Sequence, residues 1–251
     1  MTYPWLAADF AEFPSTELAR TDPNGLLAAG GNLNPDTLLH AYSRGIFPWY
    51  NEDDPILWWT PSPRCVLLPD QIHISKSLRK HLRRCGWRVT VDRCFADVIE
   101  ACAAPRSQND GGPDLSGTWI SDDMISAYQV LHTQGFAHSV EVWQEEELVG
   151  GLYGIALGQV FFGESMFSRA SNASKTALVF LGRWLRHHRF ALIDCQVENP
   201  HLQSLGAKSL ERTDFEHLLN KHVSAALIEP YQLIWQDVKN TVLEEVLEVQ
   251  T

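Results

Sequence analysis

Phe190-Ala-Leu-Ile-Asp194-Cys-Gln196-Val197, taken with the upstream Phe161-Phe-Gly-Glu164-Ser-Met166-Phe-Ser168-Arg169, decides how this chain folds. Both are apolar runs with polar residues set into them. Such runs read as buried strands, because successive side chains point to opposite faces. On that reading Phe190, Leu192, Asp194 and Gln196 share one face, and Ala191, Ile193, Cys195 and Val197 the other. A carboxylate and a carboxamide thus aim the same way out of a hydrophobic strand. Burying an ionised carboxylate is unfavourable unless it is paired or hydrogen-bonded. A solvated strand end or a structural hydrogen bond would account for the pair as well as a site would. The second cluster, Glu164, Ser165, Ser168 and Arg169, favours a site. One helical segment separates the two runs, and a strand–helix–strand connection brings its strands together.

That helical segment begins at Asn172, a natural N-cap, and runs to about His188, burying Ala177, Leu178, Leu181, Trp184 and Leu185. Upstream, His138–Trp143 and Leu148–Ala156 read as paired strands around the acidic turn 144–147. Ser121 caps a helix with Asp122 and Asp123 in its first turn, where the helix dipole favours them. Gly135 ends that helix. Lys76–Arg84 reads as a helix and Trp87–Val91 as a strand. Nearer the start, Asn34 and Pro35 open a helix that Gly45 can close in a left-handed conformation. Alternating elements of this kind predict an α+β fold with a mixed central sheet. Pro61-Ser-Pro63 and the apolar run to Pro69 place a boundary between a small N-terminal domain, 1–68, and a catalytic domain, 69–251. Residues 105–116 form a polar loop, and the acidic tail after Thr241 reads as a solvated helix.

The chain has 251 residues, 45% of them hydrophobic, enough for a substantial core. Its net charge of −11 gives no global attraction to nucleic acid or anionic membrane, so any such contact needs a local patch. The N-terminus lacks the pattern of a signal peptide, and no apolar run reaches membrane-spanning length. Cys65, Cys85, Cys94, Cys102 and Cys195 form no Cys-x-x-Cys pair, so neither a disulfide framework nor a zinc site is expected. A protein of the reducing cytoplasm is expected.

Besides the strand clusters, two features could carry chemistry. Lys76, Arg79, Lys80, Arg83 and Arg84 fall in one stretch with no acidic residue, the first four along one helical face. A solvated face is the ordinary account of such a run; a footprint for a phosphate backbone is the other. Trp49 and Trp119 follow loops, where a ring can line a pocket, although most aromatic clusters are simply core. Gly163-Glu-Ser-Met-Phe167 only half matches a nucleophile elbow, so a Ser–His–Asp mechanism is disfavoured.

Taken together, Ala41-Tyr-Ser-Arg-Gly-Ile-Phe-Pro-Trp49, Pro55-Ile-Leu-Trp-Trp59, Gly117-Thr-Trp-Ile120, Gly163-Glu-Ser-Met-Phe-Ser-Arg169, Asn172-Ala-Ser-Lys-Thr-Ala177 and Leu192-Ile-Asp-Cys-Gln-Val197 resemble the bacterial leucyl/phenylalanyl-tRNA–protein transferases. The resemblance implies a C-terminal domain with the fold of the GNAT acetyltransferases. It implies transfer of Leu or Phe, and Met more weakly, from aminoacyl-tRNA to the α-amino group of proteins beginning with Arg or Lys. That transfer marks the acceptor for N-end rule degradation and needs no metal, coenzyme A or other cofactor. It also implies that Asp194 and Gln196 are the catalytic pair, and that Tyr42, Trp49, Trp119, Met166, Ser168 and the neighbourhood of Leu181 line the aminoacyl-adenosine pocket. Glu164 is then the candidate for the acceptor's basic side chain. Leu152 stands where the family often has methionine, and Leu181 where it can have an aromatic.

The expected mechanism has the Gln196 carboxamide oxygen accept a hydrogen bond from the attacking amine, with Asp194 polarising that carboxamide. Asp194→Ala is then expected to lower turnover while leaving aminoacyl-tRNA affinity nearly intact. Two rivals stand beside this reading. A coenzyme A-dependent acyltransferase would want a glycine in the pyrophosphate loop, and Ser168–Ser174 has none. A non-catalytic RNA-binding protein would use the basic run and leave Asp194 and Gln196 without a task.

Overall fold

Residues 3–9, 12–104 and 120–223 are described by the computed structural model. Trp119, the 105–116 loop and the expected tail helix lie outside the described residues. Apolar alternation builds two sheets. The smaller contains β1 (Trp5–Leu6), β2 (Leu26–Gly30), β3 (Phe47–Pro48) and β4 (Leu57–Trp59), in the order β1-β2-β4-β3. The larger contains β5 (Arg64–Leu67), β6 (Arg88–Val91), β7 (Ala137–Gln144), β8 (Glu147–Leu157), β9 (Val160–Ser168), β10 (Leu192–Gln196) and β11 (Lys208–Leu210). Its order is β11-β5-β10-β9-β8-β7-β6, and among the described residues of this sheet only the β9–β10 pair is parallel. The helices are α1 (Pro35–Ser43), α2 (Lys76–Leu82), α3 (Phe95–Ala103), α4 (Asp122–Thr133), α5 (Ala173–His187), α6 (Pro200–Ser204) and α7 (Arg212–His222). The mixed-sheet α+β architecture behind a small N-terminal domain is thus observed. Pro61 and Pro63 lie between β4 of the smaller sheet and β5 of the larger. Residues 64–67, expected in the N-terminal domain, pair instead with β10 and β11, because their apolar run is a strand rather than a linker.

The two faces of the large sheet bury separate apolar clusters. One face packs on α5, where Leu152, Phe161, Leu178, Leu181 and Ile193 meet. The other packs on α3 and α4 and shares its core with the N-terminal sheet, bringing together Tyr42, Trp58, Tyr128, Phe162 and Leu192. Leu192 and Ile193 therefore alternate as expected. Phe190 does not share the face of Leu192: it lies before the strand begins and packs near Trp184 in the α5 cluster. Gly150 lets α5 lie close on β8, since a Cβ there would come within 2.4 Å of the Ala173 Cβ.

Helix ends follow the expected chemistry with two shifts of residue. Ser121 caps α4, its Oγ accepting from the Met124 N–H at 3.3 Å. At α1 the bonding oxygen comes from Asn32, not Asn34; Asn32 Oδ1 accepts from the Asn34 N–H and the Thr37 hydroxyl. At α5 the side chain of Asn172 makes no capping bond, and Ser168 Oγ accepts the Ser174 N–H at 2.9 Å instead.

Candidate active site

The site forms where β9 and β10 part. They pair through Val160–Leu192, Phe161–Ile193 and Phe162–Asp194, and no further. Beyond that point each strand carries an irregularity. On β9, Gly163 opposes Gly154 and Ser165 opposes Tyr153, leaving Glu164 as the extra residue of a bulge. On β10, Asp194 opposes Val66 and Gln196 opposes Cys65, leaving Cys195 extra. Bulges re-aim side chains, and here they turn Glu164 and Gln196 towards each other. The Gln196 amide donates to Glu164 Oε1 at 3.2 Å.

Asp194 is 0% exposed. Its carboxylate is held by a two-pronged contact from Arg64, Nε to Oδ1 at 2.8 Å and Nη2 to Oδ2 at 2.7 Å. Arg64 is itself fully buried, donates to the Gly45 carbonyl at 2.9 Å, and lies between the rings of Phe47 and Phe215. Gly45 closes α1 with φ +72, where a Cβ would strike the Phe215 ring at 2.8 Å. Asp194 Oδ1 also accepts the backbone N–H of Gln196 at 3.0 Å, a local turn that accompanies the left-handed φ of 55° at Gln196. The expectation that Asp194 polarises the Gln196 carboxamide is therefore corrected: it grips the backbone of Gln196, and its own oxygens face a guanidinium.

Glu164 lives in a different setting. Oε1 accepts the Tyr42 hydroxyl at 2.7 Å, and Oε2 accepts the Tyr128 hydroxyl at 2.9 Å; the two phenols also touch each other. Glu164 keeps partial contact with solvent. Dense surroundings push its pKa up to about 7; the phenol hydrogen bonds lower it, Asp194 raises it and Arg64 lowers it. Burial, then the neighbouring carboxylate, holds the Tyr42 phenol well above its ordinary range. A third phenol, Tyr153, is buried nearby, its hydroxyl without a hydrogen-bond partner among the described residues.

While Glu164 is ionised it only accepts hydrogen bonds, which turns the NH₂ end of the facing carboxamide towards it. The Gln196 carbonyl oxygen is left to face away, with no hydrogen bond from the described residues. Such an arrangement presents a neutral acceptor, oriented by one carboxylate and strapped by the other, at the mouth between two strands. The sequence pattern described as Leucyl/phenylalanyl-tRNA protein transferase matches residues 66–220, and its N-terminal domain pattern matches 31–62.

The chain belongs to that family.

A leucyl/phenylalanyl-tRNA–protein transferase of Cellvibrio japonicus is 55% identical over 235 residues, covering 94% of this chain and 97% of that protein. One from Shewanella baltica strain OS155 is 56% identical over 217 residues, covering 86% of this chain and 89% of that one. Among solved structures, L-PGS from Bacillus licheniformis overlaps with a TM-score of 0.36 at 14% identity, over 69% of this chain and 53% of that one, too slight a likeness to carry weight. Family membership makes the chain an aminoacyltransferase.

The other residues expected at the site divide across the sheet. Tyr42 and Glu164 lie on the α1–α4 side. Met166, half-buried, and Leu181, 1% exposed, belong to the apolar cluster against α5. Ser168 stands at the start of α5. Trp49 is 40% exposed and packs at a tilt against Trp59, whose indole N–H donates to the Trp49 carbonyl. Lys76, Arg79, Lys80, Arg83 and Arg84 are exposed on and just after α2, on the α5 side. No group of three or more His, Cys, Asp or Glu among the described residues could hold a metal ion, and no helix there is long and apolar enough to cross a membrane. The sequence reading does not single out Arg64 and Tyr128, which the structure sets against Asp194 and Glu164. A lone arginine heading the apolar Cys65-Val-Leu-Leu run was a signal for the first; Tyr128 looked like any core residue of α4.

Proposed function

We propose that this chain moves Leu or Phe, and Met more weakly, from the 3′ end of aminoacyl-tRNA to the α-amino group of proteins beginning with Arg or Lys, supplying the N-end rule pathway in the cytoplasm. One observation carries the reading: Gln196 presents its carbonyl oxygen beside the gap between β9 and β10, its amide committed to Glu164. An N-terminal amine has a pKa near 8, so a useful fraction is neutral at cellular pH. The ester of the donor is already activated, and orienting the amine against it contributes several kcal/mol. The Gln196 oxygen accepts a hydrogen bond from the amine as the N–C bond forms and the ester C–O bond breaks. The amine's proton leaves with the 3′-oxygen of the departing adenosine. Asp194 acts as a positioning residue, through the Gln196 backbone and the Arg64 pair.

Met166, Leu181 and their apolar neighbours are read as the walls of a side-chain pocket that would select by shape, at about 1–3 kcal/mol per methylene. Trp49 and Trp119 are read as its aromatic edge towards the adenosine and Ser168 as its border, with Tyr42 acting from the α1–α4 side through Glu164. Glu164 is read as the group that meets the acceptor's basic side chain. The α2 cations are read as contacts to tRNA phosphates, which carry no sequence information and so accept many tRNAs. Incubation with leucyl-tRNA and an Arg-initiated peptide should add the mass of one leucyl residue to the peptide, and an Ala-initiated peptide should stay unmodified. An unmodified Arg peptide, or saturable coenzyme A binding, would defeat the proposal.

A further inference from the structure

None of the chain's thiols enters the chemistry derived above, yet two of them meet beside it. Cys65 follows Arg64 on β5, and Cys195 sits between Asp194 and Gln196 on β10. The two strands are antiparallel neighbours, with Asp194 opposite Val66 and Gln196 opposite Cys65, so the bulge sets Cys195 across from Cys65 as well. Opposed residues of antiparallel strands have Cα atoms about 4.5–5.5 Å apart, within the roughly 4.4–6.8 Å that a disulfide spans. Both side chains belong to the apolar cluster on the α5 face, Cys65 buried in it and Cys195 packed against it with partial exposure. Both are free thiols. Cys94 and Cys102 lie in the cluster on the opposite face.

The two sulfurs are chemically unequal. A hydrogen bond from Cys195 lowers the pKa of Cys65; burial, Glu198 and Asp194 oppose that effect and Arg64 adds to it. The same hydrogen bond, then burial, holds Cys195 well above the ordinary thiol range. Cys195 has one further contact, a weak one to the Ile193 carbonyl at 3.9 Å. Cys65 is thus the sulfur that gives up its proton, and Cys195 the one that keeps it. A thiolate is the form that a peroxide oxidises, and the partial exposure of Cys195 gives a small oxidant its approach. Packing alone accounts for Cys65 as a small buried hydrophobe, but not for a second, part-exposed thiol across from it.

We propose that Cys65 and Cys195 form a redox modification site, in which a peroxide joins the two sulfurs and draws Gln196 out of its reacting position. The Cys65 thiolate takes one oxygen as the O–O bond breaks, giving a sulfenic acid and hydroxide, which takes up the proton that Cys65 released. The Cys195 sulfur then attacks that sulfur; the S–S bond forms, the S–O bond breaks, and the Cys195 proton leaves with the oxygen as water. Two thiols and one peroxide become one disulfide and two waters. Closing the sulfurs to about 2.05 Å pulls the bulge towards β5, and Gln196 with it. A displacement of about 1 Å at a reacting group lowers rate on the order of a hundredfold. In the reducing cytoplasm proposed for this chain such a bond is transient, reversed by exchange with other thiols. Its effect on transfer rests on Gln196 orienting the amine, as proposed above.

The reduced full chain is exposed to hydrogen peroxide, and its remaining thiols are then alkylated. The mass before alkylation should fall by two hydrogen atoms, and a non-reducing digest should yield one peptide pair linking residues 65 and 195. Transfer of leucine from leucyl-tRNA to an Arg-initiated peptide should fall roughly a hundredfold and return with dithiothreitol. Cys65→Ala should transfer like reduced wild type, lose no hydrogens under peroxide and stay active. Cys65→Val, which fills the space the sulfur leaves, should do the same and guards against a variant that fails through a cavity. A mass that is unchanged or grows only by oxygen, a link between other cysteines, a 65–195 link with undiminished transfer, or equal inactivation of the Cys65 variants would each overturn the proposal. If the reduced chain modifies no Arg peptide, the transfer reading falls, while the modification site is still judged by the mass and the link.

Discussion

Asp194 and Glu164 are carboxylates on neighbouring strands, joined through one glutamine, and they are held in opposite ways. Asp194 faces a guanidinium that grips both of its oxygens, so its geometry is fixed. Glu164 faces two phenols and an amide, neutral donors that stabilise its charge less than burial opposes it, and it titrates near 7. The difference teaches that an acid in a site need not be a chemical participant. One of these groups holds the Gln196 backbone at a set position, and the other can change state near pH 7.

The comparison breaks most visibly at Arg64. Arg64→Met leaves Asp194 buried without its partner, and removing one member of a buried pair costs about 3–5 kcal/mol. Urea unfolding of wild type and variant should show that loss; coincident curves would mean Asp194 is no anchor. The same reasoning revises the expectation for Asp194→Ala, which strands Arg64 and should lose comparable stability. Its loss of turnover then has to be judged beside its unfolding curve.

Much of this arrangement was legible beforehand, and the rest was hidden for physical reasons. Alternation along 161–169 and 192–196 exposed the polar groups and the parallel pair, because the period of a strand is a local property. The bulges at Glu164 and Cys195 were not legible, since an extra residue shows only against its partner strand. Strict alternation therefore put Asp194 and Gln196 in contact through the wrong atoms. Arg64 is 130 residues from Asp194 in the chain, and nothing local links them. Cap chemistry was read two residues away from Asn32, and four residues away from Ser168, because several side chains near a helix end can offer the oxygen.

The next effect sharpens the Glu164 side. Between the ordinary carboxyl pKa of 4.5 and about 7, the folded chain holds a proton that the unfolded chain has released. Stability should therefore fall as pH rises through that window. Partial exposure screens the effect to on the order of 2 kcal/mol. Glu164→Gln removes the titration, so the difference between variant and wild type, measured by denaturation from pH 4.5 to 8, should grow with pH. A difference that stays flat would show that Glu164 does not change protonation in that range.

Tyr42→Phe is a gentler probe. It removes one hydrogen bond to a largely buried carboxylate, at about 1–2 kcal/mol. Because that bond lowers the Glu164 pKa, its loss should also move the titration midpoint above 7. A shift in stability without a shift in midpoint would show that Tyr42 packs against Glu164 but does not tune it.

The smallest stability effect, and the most discriminating, belongs to Gln196, which touches both carboxylates with different parts of itself. Its backbone N–H serves Asp194 and its side chain serves Glu164. Gln196→Gly keeps the first bond and deletes the second. It also places glycine at a φ of 55°, a region that other residues adopt at about 1–2 kcal/mol. Relief of that strain and loss of the amide bond should nearly cancel, leaving stability within about 1 kcal/mol of wild type. Transfer of leucine to an Arg-initiated peptide should nonetheless collapse, since the oriented carbonyl is gone. A glycine variant that folds equally well and still transfers would move the reacting amine away from Gln196; one that unfolds would show that Glu164 needs the amide as much as Asp194 needs its arginine.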